Sequence, residues 1–192
     1  MLAEPTDFCR LWLLRHPALS PEQAELAVGA GPAELSRRGR AQVLRWLERF
    51  RGVQLAEIWS GPQPQCSGPA RALAEAQQQE ARVDARLRDQ EMGRWQGRAW
   101  NEVLREEEGA LRTFFAEFGE ARPPDGESLG DAVERMLAWW TEVVPGAAGR
   151  SLLVVLPGGL LGAFTAALLG MRLSRCLSLN LPHGGVAARD VF

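Results

Sequence analysis

The sequence predicts an α/β protein, a three-layer α/β/α sandwich with a mainly parallel sheet. Three observations carry that expectation. Leu11 to Leu14 are continuously apolar, as in a strand buried on both faces, and the run stops at Arg15 and His16. Ser151 to Gly170 is uncharged, but Pro157-Gly158-Gly159 breaks it into a β-prone half and a helix-prone half. Between these stretches, helix-period and strand-like segments alternate, as they do in βαβ units.

In order, Leu11–Leu14 is the first strand, and residues 17–34, rich in Pro, Ala and Gly, are a surface loop with a short helix from Pro21. Ser36 is placed to cap a helix over Arg37–Phe50, with Val43, Trp46, Leu47 and Phe50 on one face. Leu55–Ser60 is the second strand. A turn-rich segment follows, then a helix from about Pro69 to Ala81, because proline is tolerated only in a first turn. Val83–Leu87 forms a short strand and Asp89–Trp100 a loop. Two short helices occupy Asn101–Phe118, and a strong helix runs over Leu129–Val144. Leu152–Leu156 and Leu160–Leu169 supply the strand and helix of the uncharged stretch. Short strands near Cys176–Leu181 and Gly185–Val191 end the chain, which reads as one domain over 1–192.

Composition sets limits on function. The 192 residues suffice for one domain with a substantial core, and a net charge of −2 gives no electrostatic case for nucleic acid. All 22 basic residues are arginines, scattered and often near Glu. Cys9, Cys66 and Cys176 are an odd set without metal-ligand spacing, which favours a reducing cytoplasm over a disulfide framework. No secretory signal is visible. The uncharged stretch is long enough to span a bilayer, but strand, turn and helix is the more economical account, so no membrane partner is expected. No metal or organic cofactor is implied.

Several short segments carry the chemistry. Leu14-Arg15-His16-Pro17 sets a cation beside an imidazole at a strand's C-terminal end, where open α/β sheets bind ligands. Leu35-Ser36-Arg-Arg-Gly39-Arg-Ala-Gln42, Ser60-Gly-Pro-Gln-Pro-Gln65-Cys66-Ser-Gly-Pro69-Ala70 and Leu87-Arg-Asp89-Gln-Glu-Met-Gly93-Arg-Trp95-Gln96-Gly97 follow. Gly126-Glu127-Ser128, with Arg135 downstream, and Leu153-Val-Val-Leu-Pro157-Gly158-Gly159 complete the series. In this order the segments resemble the histidine phosphatase superfamily, which includes phosphoglycerate mutases, fructose-2,6-bisphosphatase-type enzymes and α-ribazole phosphatases. The corresponding family patterns include Leu-Arg-His-Gly, Ser-Ser-Pro-Leu-x-Arg-Cys and Val-Val-Ser-His-Gly-Gly.

The resemblance implies a mechanism in which one histidine attacks phosphorus, two arginines and a second histidine bind the transferring group, and a carboxylic acid protonates the leaving oxygen. Carried over, His16 is the nucleophile, Arg15 the first phosphate clamp and Asp89 the acid, with Glu91 a nearby substitute. Gln65 stands at the second arginine and Pro157 at the second histidine, with Gly158 beside it in the phosphate-binding turn. Proline brings no donor and glutamine no charge. Pro17, Pro69 and Gln96 are further departures, at positions of the family's glycine, threonine and glutamate. Among the tryptophans, Trp95 and Trp100 lie in the loop roofing the pocket, as ligand contacts or as loop anchors.

These substitutions imply a family member that has lost ordinary phosphatase activity and binds a phosphorylated small molecule or a protein partner. The alternative is a divergent, active phosphomonoesterase working through phospho-His16, rescued by His183 or the Gly158–Gly159 amides. His183, the only other histidine, is more simply an exposed turn residue. A structural subunit without a ligand is the third reading.

Overall fold

A computed structural model of the chain describes residues 8–179 and 181–191. Its centre is a five-stranded sheet in the order β3-β2-β4-β1-β5. The strands are β1 (Cys9–Arg15), β2 (Glu57–Ser60), β3 (Ala81–Val83), β4 (Ser151–Leu156) and β5 (Val186–Val191). The pairs β1–β4, β2–β4 and β2–β3 are parallel, and only β5, against β1, is antiparallel. The mainly parallel sheet of the expectation is therefore observed.

The α-helices are α1 (Arg37–Arg49), α2 (Pro64–Ala76), α3 (Trp100–Ala116), α4 (Leu129–Val143) and α5 (Gly158–Leu168). Leu152 to Leu156 of β4 are wholly buried because alternate side chains face two cores. Leu152, Val154 and Leu156 pack with Met136 and Trp139 of α4 and Phe164 of α5. Leu153 and Val155 pack with Trp46 and Phe50 on the α1 side and Leu73 of α2. These are the two outer layers of the sandwich. A smaller core joins Met92 and Trp95 to Val103, Leu111 and Phe114 of α3.

The uncharged stretch Ser151–Gly170 is the interior itself, central strand and buried helix. Among the described residues no single helix is long and apolar enough to cross a membrane. Ser36 caps α1 by accepting from the Gly39 N–H, and Ser128 opens α4 in a capping box with Asp131. The two helices expected over Asn101–Phe118 are the two parts of α3, which meet at a kink where the Glu107 backbone is non-helical, with φ −134°.

Three boundaries differ from expectation. Helix α2 starts at Pro64, which takes the first-turn position, and runs through Pro69 to end at Ala76. The third strand is Ala81–Val83, and Ala85–Leu87 beyond it is a 3-10 turn with Asp84 accepting from the Arg86 N–H. The strand expected near Cys176–Leu181 is a 3-10 segment over Leu173–Leu179 that packs on α5.

Candidate active site

At the C-terminal edge of the sheet, β1 delivers Arg15 and His16 beside the start of α5. A cavity of about 300 Å³ opens there, lined at one end by Arg15, His16, Asp89, Gly158, Gly159 and His183. A larger groove of about 970 Å³ lies at the opposite edge, around Phe50–Ala56 and Gly149–Ser151. Among the described residues its lining holds no histidine or carboxylate, so the smaller cavity is the candidate site.

His16 is buried, and its Nδ1 lies 2.9 Å from the Pro17 carbonyl. A carbonyl only accepts, so Nδ1 carries the hydrogen and Nε2 holds a lone pair. Burial pushes the His16 pKa down to about 4, with His183 and Arg15 adding to the effect and the Pro17 bond opposing it. The imidazole is therefore neutral at pH 7, as a nucleophile requires.

The Arg15 guanidinium donates to the Leu181 carbonyl at 2.7 Å and faces His183 Nε2 at 3.2 Å. A guanidinium only donates, so His183 accepts through Nε2 and carries its hydrogen on Nδ1. The His16 backbone carbonyl is the acceptor facing that ring, and it opposes the lowering of the His183 pKa. Burial and the neighbouring cations lower the His183 pKa. Its ring centroid lies 4.9 Å from that of His16. His183 is thus a wall of the cavity rather than an exposed turn residue.

The chain holds it there by five hydrogen bonds. The Gly184 N–H donates to the Arg15 and His16 carbonyls, and the Gly185 carbonyl accepts from the Arg15 N–H. From α1, the Gln42 amide donates to the His183 carbonyl and Trp46 Nε1 to the Gly184 carbonyl. A positive φ of 72° at Gly184 turns the connector inward.

Asp89 enters from the loop after the Ala85–Leu87 turn. Arg135 of α4 fixes that loop, donating to the carbonyls of Arg86, Arg88 and Asp89 at 2.8, 2.8 and 2.9 Å. Glu127 pairs with Arg135 at 2.6 Å and accepts from the Glu91 N–H. Burial raises the Asp89 pKa to about 6, against the lowering effects of the Gln90 N–H, Arg135 and Arg15. A carboxyl with that pKa is suited to proton donation. Glu91, the substitute acid, is instead half-exposed, ion-paired with Arg88 at 3.3 Å, and outside the cavity lining.

Gln65, expected at a phosphate-binding position, is not among the residues lining the cavity. Its Oε1 accepts from the Ala33 N–H at 3.0 Å and its Nε2 donates to the Gly31 carbonyl at 3.1 Å. One amide matches one backbone donor and one acceptor, so the side chain pins the 28–35 loop and does not line the cavity. Gln96 is used alike, accepting from the Met92 N–H and donating to the Val28 carbonyl. Pro157 is the N-cap residue of α5 and, as expected, offers no side-chain cap or donor. Among the described residues no group of three His, Cys, Asp or Glu is placed to hold a metal.

Comparison with known proteins agrees with this geometry. The model of the histidine phosphatase superfamily (branch 1) matches residues 11–189. The chain belongs to this superfamily. A glucosyl-3-phosphoglycerate phosphatase of Mycolicibacterium vanbaalenii is 34% identical over 169 residues, covering 84% of this chain and 75% of that protein. The solved mycobacterial glucosyl-3-phosphoglycerate phosphatase superposes with a TM-score of 0.80 at 28% identity, covering 93% of this chain and 88% of the other. The α-ribazole phosphatase of Shigella flexneri superposes with a TM-score of 0.83, covering 93% and 89% of the two chains; at 22% identity that likeness is one of fold. Within this histidine phosphatase fold, Arg15, His16, Asp89 and Gly158 meet at one cavity, Gln65 does not reach it, and His183 joins it. The pairing of β5 antiparallel to β1, with Leu14 opposite Val186, puts residues 183–185 beside the end of β1. That pairing was the missing signal for His183.

Proposed function

We propose that this histidine phosphatase homologue holds a phosphorylated ligand in the cavity without the family's ordinary turnover. The observation that supports the reading is the commitment of Gln65 to the Ala33 and Gly31 backbone, with Pro157 at the second-histidine position. Among the described residues Arg15 is the one arginine in the cavity lining. Losing a single preorganised donor costs roughly a hundred- to a thousand-fold in rate. Two lost together, with their charge, put turnover far below the family's level, although such losses do not simply multiply.

The test is hydrolysis of an aryl phosphate by the parent, by His16→Ala and by the double reversion Gln65→Arg plus Pro157→His. The expected result is background rate in the parent and His16-dependent turnover in the reversion. Parent turnover that disappears in His16→Ala overturns the reading. It would favour a divergent phosphomonoesterase, for which the 4.9 Å approach of His183 to His16 speaks. Such an enzyme needs His16 neutral, above about pH 4, and Asp89 protonated, below about pH 6, so its rate would peak near pH 5.

A further inference from the structure

The cavity has two chemically different halves. One end carries Arg15, His16, Asp89 and His183, and beyond them the wall is apolar and aromatic. Leu19, Leu26, Met92, Trp100, Phe115 and Phe118 form that wall. Phe115 is 53% exposed although it touches the rings of Trp100, Phe114 and Phe118, so part of its face is unfilled at the mouth. The neutral amide side chains of the lining, Gln90 and Gln23, each commit one end of the amide to the backbone. Gln90 donates to the Glu127 carbonyl at 2.7 Å, and Gln23 accepts from the Glu34 N–H at 3.1 Å.

We infer that the ligand is a phosphate monoester whose organic part is an aryl or branched apolar group. This rests on the proposed reading that the cavity holds a phosphorylated ligand, and adds the nature of the rest of the molecule. Along the wall of Leu19, Leu26, Met92, Trp100, Phe115 and Phe118 a polyol would leave its hydroxyls against carbon and lose their hydrogen bonds with water. Among the described residues a second carboxylate would find no second arginine in the lining. A ring instead removes its own surface and that of Phe115 and Trp100 from water, and joins a cluster whose rings already pack tilted, stacked and edge-to-face. At about 300 Å³ the cavity is at the small end for organic ligands, which suits one or two fused rings rather than a long chain.

The test is calorimetric titration of the whole protein with 1-naphthylphosphonate, methylphosphonate, inorganic phosphate and 1-naphthol. Phosphonates cannot be hydrolysed at the ester oxygen, so the readout is independent of turnover. The expected result is naphthylphosphonate binding at least about tenfold tighter than methylphosphonate, from the apolar area covered. Phe115→Ser, at a half-exposed position, should erase most of that preference, and Arg15→Ala should weaken every anion. Equal affinity for the two phosphonates overturns the inference while leaving phosphate binding intact. Binding of 1-naphthol as tight as that of naphthylphosphonate, or no binding of any anion, overturns the phosphorylated-ligand reading and the inference with it.

Discussion

Arg15 reaches its place because residue 158 has no side chain. A Cβ on Gly158 would lie 2.5 Å from Arg15 Nε and 2.6 Å from Cζ, well inside van der Waals contact. The obstructed group is the end of a flexible side chain, so Gly158→Ala should displace the guanidinium and spare the fold. Its Tm should change by no more than about 1 kcal/mol of stability implies, since alanine favours the helix that begins there. Affinity for inorganic phosphate should fall about tenfold or more, and unchanged affinity would show that the cation is not the anchor. The position itself was readable from the Pro157-Gly158-Gly159 turn. The fate of Gln65 was not, because a buried amide is equally suited to a phosphate oxygen or to a loop backbone, and only the position of Gly31 and Ala33 decides between them.

Helix α1 supports the site from below, through Gln42 and Trp46, and depends on a close approach at its own first turn. A Cβ on Gly39 would meet the Ala18 carbonyl oxygen at 2.1 Å, and backbone cannot swing aside as a side chain can. Gly39→Ala should therefore cost about 1–3 kcal/mol as an overpacking defect, measured by denaturant titration. A neutral result would mean that the 17–20 loop moves freely against α1. This helix was legible in full, since cap, period and apolar face agree. Helix α2 was less so because Pro64 and Pro69 both qualify for a first turn, and the buried face of Cys66, Ala70 and Leu73 favours the earlier start. The segment Leu173–Leu179 was misread as extended because its apolar residues are too few to separate strand from 3-10 turn. His183 was misplaced for a different reason: its position follows from the pairing of β5 with β1, a contact between the two ends of the chain.

The cavity also affects the stability of the whole molecule, because it buries two titratable groups whose pKa values move in opposite senses. His16 falls from 6.5 to about 4, so its stabilising contribution is complete above pH 6.5 and is lost as pH falls through 4. Asp89 rises from 3.8 to about 6, so its contribution is complete below pH 3.8 and is lost as pH rises through 6. Each shift corresponds to about 3 kcal/mol, and between pH 4 and 6 the two slopes oppose each other. Asp89→Asn removes one of them. That variant should exceed the parent in stability at pH 7 and lose about 3 kcal/mol of the advantage by pH 4. For a chain of this size that is roughly 6–12 °C in relative Tm. His16→Asn should change in the reverse sense, gaining on the parent as the solution is acidified. Other carboxylates titrate in the same range, Asp84 and Asp131 among them with lowered pKa values, but they are common to all three proteins and cancel in the difference. Thermal melts of the three at pH 7 and pH 4 decide the matter. Parallel behaviour would mean that the cavity is wet enough to leave both groups near their ordinary values, and Asp89 would then not keep its proton near pH 5.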